Sequence, residues 1–348
     1  MSDPAAECDD QRTVVAFLSD PASYGGQDEV IRISTHCSIV FLTGDRSYKL
    51  KRAIRYASLD YTTRALRQAA CEAELVLNRR TAPDLYLAVQ SINQASAGTI
   101  AFDGPGVPLD HVVVMRRFAQ ADLFDRMADA DRLTPELMHR LGEEVARLHL
   151  AAEITPTRGG SEALRQVIAD NDRELAKVAR ELDGAAVGML RRRTRTRLDE
   201  LADLLDRRRL EGKVRRCHGD LRLANICLYR GRPTLFDCIE FSDEIGCIDV
   251  LYDLAFLLMD LRLRGRDDLA KFVLTAYLEM MPETDGLQAL PLFLGLRAAT
   301  RSYALAGSAS RRSDPEEAAR LLRDARRHIQ AGVEFLTEKQ VPQVFKVA

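Results

Sequence analysis

The stretch CHGDLRLANICLY, Cys217 to Tyr229, sets His218, Asp220 and Asn225 among apolar neighbours. Polar groups in a segment otherwise fit for burial need partners, because leaving them unpaired away from water is costly. A carboxylate at Asp220 can stand beside an attacking hydroxyl and accept its proton, while a neutral amide oxygen at Asn225 can hold a hard divalent ion. Further on, TLFDCIEF delivers Asp237 at the end of an apolar strand. Mg2+ prefers oxygen ligands at about 2.0–2.1 Å and usually takes one or two carboxylates, with phosphates and water completing its shell. Asn225 and Asp237 are therefore the predicted metal ligands and Asp220 the predicted base. A polar turn closing a hairpin would explain any one of these residues, but explains the set poorly.

The spacing H-x-D-x-x-x-x-N is the catalytic-loop pattern of kinases. With LFDCIEF and DVLYDLAFLLMD following it, HGDLRLAN resembles the aminoglycoside phosphotransferase family, a branch of the protein-kinase-like fold whose members phosphorylate small molecules. Upstream, STHCSIVFL, SYKLKR and CEAELVLNRRTAPDLYL are similar to a bacterial subgroup that often carries an additional P-loop ATPase domain. No G-x-x-x-x-G-K-[ST] occurs in the sequence, so that second domain is expected to be absent. The resemblance implies ATP and Mg2+ as cofactors and transfer of the γ-phosphate to a hydroxyl of a small molecule. The alternative is a nucleotide-binding, pseudokinase-like regulatory module without turnover. No clear A-P-E segment follows Asp237, which counts against a protein kinase.

A kinase-like small lobe needs a strand lysine for the α- and β-phosphates and a helix glutamate to position it. Only seven of the fifty basic residues are lysines, and two of them, Lys49 and Lys51, share one face of RSYKLKR by the period of two. Lys49 is the predicted phosphate ligand, because the small Ser47 two residues earlier leaves space for an adenine ring. Of the helix acids, Glu74 lies roughly 80° from a stripe centred near Leu66 and Ala73, and Glu72 about 120°, so Glu74 is the predicted partner. No G-x-G-x-x-G is present near the first strands. The resemblance puts the phosphate loop at ISTHCSIV, which implies that Thr35 and Ser38 contribute hydroxyls and amides to the phosphates instead. HVVVMRRF resembles the last strand leading to the hinge, which implies adenine binding by the backbone of Met115, Arg116 and Arg117. Asp253 falls among residues that should be buried and so needs a partner; the resemblance implies that it braces the catalytic loop. Glu240, Asp243 and Glu244 form an acidic cluster that could attract a cationic acceptor, although a solvated loop is slightly favoured.

The elements that must position these groups fall into two parts. Short β-like runs (EVIRIS, CSIVFL, SYKLK, LYLAVQSI, GTIAF, HVVVMRRF) surround one helix over about Thr62–Arg80, with apolar residues at Leu66, Ala69, Ala70, Ala73 and Leu77. Beyond about residue 120 long helical patterns take over, interrupted by two short strands around the catalytic stretch. The expected fold is α+β and bilobal, protein-kinase-like, with an ATP-binding lobe over 1–118 and a catalytic, acceptor-binding helical lobe over 119–348. The arginine run from Arg191 is read as a solvated helix face, since Leu198, Leu201 and Leu204 follow at helical spacing. A formal net charge of −2 gives no global reason to bind nucleic acid or an anionic membrane. No apolar run approaches the roughly 20 residues needed to span a bilayer. Seven scattered cysteines without a C-x-x-C pair suit a reduced, cytoplasmic setting.

Overall fold

The computed structural model describes residues 9–26, 28–56 and 58–337. The chain divides into two compact units: residues up to Leu123 together with Thr234–Asp243, and Phe124–Pro233 together with the chain from Glu244 onward. The division therefore differs from a single cut after residue 118. The segment carrying Asp237 and Glu240 belongs with the first unit, where those acids meet the lysines described below.

The first unit opens with helix α1 (Arg12–Ser19) and continues through β1 (Ile31–Ser34), β2 (Ser38–Thr43), β3 (Arg46–Lys51), the short pair β4 (Arg55–Tyr56) and β5 (Leu59–Asp60), α2 (Arg64–Asn78), β6 (Tyr86–Gln94), β7 (Ile100–Phe102) and β8 (Val107–Arg116). Six strands form an antiparallel sheet in the order β1-β2-β3-β8-β6-β7. A two-residue turn at Gly44-Asp45 joins β2 to β3, with Gly44 at φ +49°, a backbone angle that costs glycine little. Alternation along β3 sends its side chains to opposite faces. Leu50 joins Val14, Leu18, Phe41, Ile92 and Val112 in a core beneath α1. Fully burying a side chain such as Phe41 stabilises the unit by about 1.5–3 kcal/mol. Lys49 and Lys51 point the other way, toward α2.

Helix α2 does not bury the apolar stripe expected of it. Its buried residues are Arg67, Cys71, Glu74 and Asn78, whereas Leu66 is 42% exposed and Val76 68%. Specific polar partners draw this face inward. Arg67 ion-pairs with Asp110 of β8 at 2.9 Å, Glu74 meets both lysines, and Asn78 hydrogen-bonds the backbone N–H of Cys238 at 2.9 Å. Thr63 caps the helix by accepting from Leu66 N–H.

The second unit contains α3 (Phe124–Asp129), α4 (Pro135–Ala151), α5 (Gly160–Lys177), α6 (Gly184–Leu210), β9 (Val214–Arg216) and β10 (Ile226–Tyr229). Strand β11 (Arg232–Leu235) leads into the first unit, and the single turn α7 (Asp243–Gly246) leads back to β12 (Cys247–Asp249), which pairs antiparallel with β9. Four helices follow: α8 (Val250–Leu263), α9 (Asp267–Met280), α10 (Leu290–Ala309) and α11 (Pro315–Phe335). Helix α8 is apolar nearly all round and almost wholly buried, the pattern of a central core helix. Asp249 caps it and accepts from Nε and Nη2 of buried Arg208, at 2.7 and 2.8 Å. Leu198, Leu201 and Leu204 of α6 are buried, and Arg191 and Arg195 pair with Asp172 of α5. Among the described residues, no helix is long and apolar enough to cross a membrane.

Candidate active site

The predicted site residues gather as two groups, one in each unit. In the first, Lys49 Nζ lies 2.8 Å from Glu74 Oε1 and 2.5 Å from Asp237 Oδ1. Lys51 Nζ lies 2.6 Å from Glu74 Oε2 and also pairs with Glu240, while Tyr61 donates its hydroxyl proton to the same Glu240 oxygen. One buried carboxylate thus bridges two lysines, and each lysine reaches an acid of the DCIE segment. Glu72, the other candidate acid, faces solvent and accepts from Gln68. Burial disfavours both ammonium groups, but the surrounding acids outweigh it and hold the pKa of each well above the usual lysine value. Burial likewise opposes ionisation of Glu74, yet the lysines bring its pKa down to about 2. The Glu240 side chain is only 5% exposed, so the solvated-loop reading fails for this member of the acidic cluster.

Asp237 sits at φ +62°, in the left-handed region that aspartate tolerates better than most residues. Its N–H donates to the hydroxyl of buried Tyr86, 3.1 Å away. With Oδ1 on Lys49, Oδ2 has no partner among the described residues and the side chain remains 43% exposed. Thr35 is bound into its own turn: its hydroxyl donates to Ser38 O and accepts from Ser38 N–H. Ser38 is buried at the start of β2, opposite Lys51. In the hinge strand, Met115 lies opposite Ser47. The N–H groups of Arg116 and Arg117 are already given to Leu85 O and Asp45 O, both at short range (2.9 and 2.8 Å). Among the described residues, the next N–H, that of Phe118, makes no hydrogen bond.

In the second unit, the catalytic stretch is held from behind. Asp253 accepts from the N–H groups of His218 (3.0 Å) and Gly219 (2.9 Å), and the latter residue's φ of +86° suits glycine. His149 of α4 approaches Asp253 through Nε2 at 3.1 Å and Tyr277 of α9 through Nδ1 at 3.0 Å. Burial opposes the charge on Asp253, but its hydrogen bond to His149 and the neighbouring cations bring its pKa to about 2. An ionised carboxylate only accepts, so His149 Nε2 is the protonated nitrogen. Arg297 of α10 donates to Gly219 O and Tyr252 O and lies over the ring of Tyr252. Asp260 of α8 accepts from Leu223 N–H at 3.1 Å. Of these braces only Asp253 was expected. His149, Arg297 and Asp260 lie on helices whose sequences carry no local signal for such contacts.

This support fixes the front of the loop. Asp220 Oδ1 accepts from Arg222 Nε at 2.7 Å, while Oδ2 accepts from Arg222 Nη2 and Asn225 Nδ2, both at 2.8 Å. A carboxylate has about four acceptor positions, so among the described residues one remains open on Oδ1. Burial pushes the Asp220 pKa up, but Arg222, His218 and Arg301 more than reverse this and leave it at about 2. Asn225 Nδ2 also donates to Asp220 O, which turns the amide oxygen outward without a partner among the described residues. The unpaired oxygens of Asn225 and Asp237 are hard, sterically small donors of the kind Mg2+ selects, so the residues fit the implied ion.

Residues 48–290 match the model of the phosphotransferase enzyme family. Uncharacterized proteins of Mycobacterium tuberculosis and Mycobacterium bovis are 30% identical over 314 residues, covering 88% of this chain and 60% of theirs. The chain thus spans less than two thirds of those curated relatives. A putative aminoglycoside phosphotransferase from Ralstonia eutropha JMP134 superposes with a TM-score of 0.53 at 14% identity, over 94% of this chain and 98% of that one. Plasmodium vivax ethanolamine kinase gives 0.52 at 12%, over 90% and 83%. An aminoglycoside phosphotransferase APH(4)-Ia in complex with AMP-PNP and hygromycin B gives 0.52 at 14%, over 93% and 98%. The fold is the kinase-like α+β fold, and the chain belongs to the phosphotransferase enzyme family.

Proposed function

We propose that this chain is an ATP-dependent phosphotransferase that moves the γ-phosphate of ATP to a hydroxyl of a small molecule in the cytoplasm. The observation that carries this reading is the hydrogen bonding of Asp220 and Asn225. Among the described residues, every acceptor position of the Asp220 carboxylate is occupied except one on Oδ1, and the Asn225 amide is turned so that its oxygen has no partner. The first suits a hydroxyl proton and the second a magnesium ion.

Lys49, anchored by Glu74, would hold the α- and β-phosphates, and Phe118 N–H would meet the adenine edge. Asn225 and Asp237 would hold Mg2+, which supplies charge neutralisation to the phosphates; Asp237 would then leave Lys49 for the ion. Thr35 would shape the turn near the phosphates, with Ser38 behind it. Asp220 would orient the acceptor hydroxyl and take its proton. A base with so low a pKa is weak, which suits a loose phosphoryl-transfer transition state in which the proton moves late and positioning supplies most of the rate. The relatives described as an ethanolamine kinase and an aminoglycoside phosphotransferase make a small-molecule acceptor the natural class. Neither protein fixes the acceptor of this chain, nor does the net charge favour a nucleic acid.

The test is Asp220→Asn. The variant should bind Mg·AMP-PNP with wild-type affinity and lose about 10²–10⁴-fold in ATP turnover against a metabolite extract. Wild-type turnover would remove Asp220 from the base role. Tight nucleotide binding with no turnover in the parent protein would favour a regulatory module.

A further inference from the structure

Of the two lysines on the inner face of β3, one is sealed from any ligand. The Lys49 side chain keeps 13% of its surface exposed beside the partly exposed Asp237, whereas Lys51 is only 1% exposed. Lys51 Nζ is enclosed by Glu74 Oε2 at 2.6 Å, by Glu240 and by Tyr61, whose hydroxyl lies 3.4 Å away and whose ring centre lies 5.0 Å away. Tyr61 is itself buried and donates to the Glu240 oxygen that Lys51 also holds. Stability alone does not call for such a residue, because apolar side chains of similar volume often serve a core as well as a buried ion pair does. The surrounding acids keep Lys51 charged, and its effect therefore passes through the groups it holds. Those groups meet in the segment that carries Asp237. Asp237 N–H donates to the Tyr86 hydroxyl at 3.1 Å and Cys238 N–H to Asn78 Oδ1 at 2.9 Å, which fixes one end of the segment. Three residues after Asp237, the Glu240 side chain is fixed by Lys51 and Tyr61. Between these anchors, the Asp237 backbone is held at φ +62°, a conformation that a residue other than glycine keeps only when its surroundings enforce it.

We propose that Lys51 is a positioning residue for metal binding: through Glu240 it holds the segment from Asp237 to Glu240 so that the Asp237 carboxylate stays presented to the ion, and it leaves the phosphates to Lys49. The inference rests on the phosphotransferase reading and deepens its metal site. Once Asp237 exchanges Lys49 for the ion, its side chain no longer has Lys49 to orient it. The Tyr86 and Asn78 contacts at one end and the Lys51–Glu240 pair at the other then aim its carboxylate. Lys51 also keeps Glu74 Oε2 occupied, so that Oε1 remains turned to Lys49. Groups that orient a metal ligand without touching the metal typically change metal affinity about 10–100-fold when they are removed.

Calorimetric titration of Mn2+ into the AMP-PNP complex, beside titration of AMP-PNP in metal-free buffer, tests this. Lys51→Met should bind Mn2+ about tenfold more weakly or worse. Lys51→Met with Glu240→Gln removes both charges of the pair, so it should recover stability in a thermal melt and still bind Mn2+ weakly. A lysine with only a structural role would let metal affinity recover together with stability. AMP-PNP binding in metal-free buffer should stay close to the wild-type value in both variants, since Lys49 keeps Glu74 Oε1. The proposal is overturned if Lys51→Met binds Mn2+ as tightly as wild type, or if the double variant regains metal affinity with stability. It is also overturned if metal-free AMP-PNP binding falls as far as Mn2+ binding, which would put Lys51 on the phosphates. Should Lys51→Met not fold, the double variant decides by the same two titrations. A wild-type chain that binds no AMP-PNP, or whose AMP-PNP complex takes up no Mn2+, overturns both this proposal and the phosphotransferase reading, whereas wild-type binding of both with unaltered variants overturns this one alone.

Discussion

At Asp220 one arginine controls how the proposed base meets protons. Burial alone would raise this carboxyl, and Arg222 is the strongest of the groups that keep it near 2. A depressed carboxylate is ionised at every pH well above its folded value, so kcat/KM should show no acid limb from Asp220 between pH 5 and 8. In Arg222→Gln the desolvation remains while the main counter-charge goes, so the pKa should climb past the ordinary 3.8 and an acid limb should enter the profile. The same sign governs stability. The contribution of Asp220 is complete above the unfolded value of 3.8 and is lost as pH falls toward about 2. A pH–rate profile of the two proteins checks this; superimposable profiles would contradict it. The residues of this stretch were legible in the sequence because their spacing is local. Arg222 was not, since two positions from a carboxylate an arginine reads equally well as a solvated neighbour.

The elements were easier to read than the directions they face. Alternation along β3 correctly placed Lys49 and Lys51 together, because a strand has only two faces. The face of α2 was misread because apolar periodicity assumes that greasy residues go inward, whereas here Arg67, Glu74 and Asn78 each have a specific partner on a distant strand or loop. Glu240 was misread for the same reason: its partner Lys51 is far away in sequence. Helix α1, whose Val14 and Leu18 enter the sheet core, went unread because the helix is only eight residues long and has no side-chain cap. Placing two lysines on one buried glutamate has an energetic consequence. Removing Glu74 would leave Lys49 and Lys51 sharing Asp237 and Glu240 with no carboxylate between them. Glu74→Ala should therefore destabilise the first unit by about 3–5 kcal/mol, since breaking a buried ion pair leaves uncompensated charge. Lys51→Met with Glu240→Gln removes both partners together and should cost less. Denaturant titrations of the variants decide this; equal losses would place the cost in packing instead of charge.

For the whole molecule, two β-rich and α-rich parts were evident from the change in pattern near residue 120, and the family from motifs spread along much of the chain. What composition and periodicity could not reveal is that Thr234–Asp243 returns to the first unit, since strand and loop residues carry no mark of the core they will join. That return links the proposed metal carboxylate to the lysines and glutamate of the first unit, while Asp220 and Asn225 are braced by α4, α8 and α10 in the second. Phosphoryl transfer requires the two halves to act on one nucleotide. A crystal structure with AMP-PNP and Mn2+ as the detectable stand-in for magnesium measures this most directly. The account predicts the Asn225 amide oxygen and an Asp237 carboxylate oxygen on the same ion, with Lys49 on the α- and β-phosphates and Asp220 Oδ1 facing the γ-phosphate. A metal held without either Asn225 or Asp237, or a nucleotide bound away from Lys49, would contradict it.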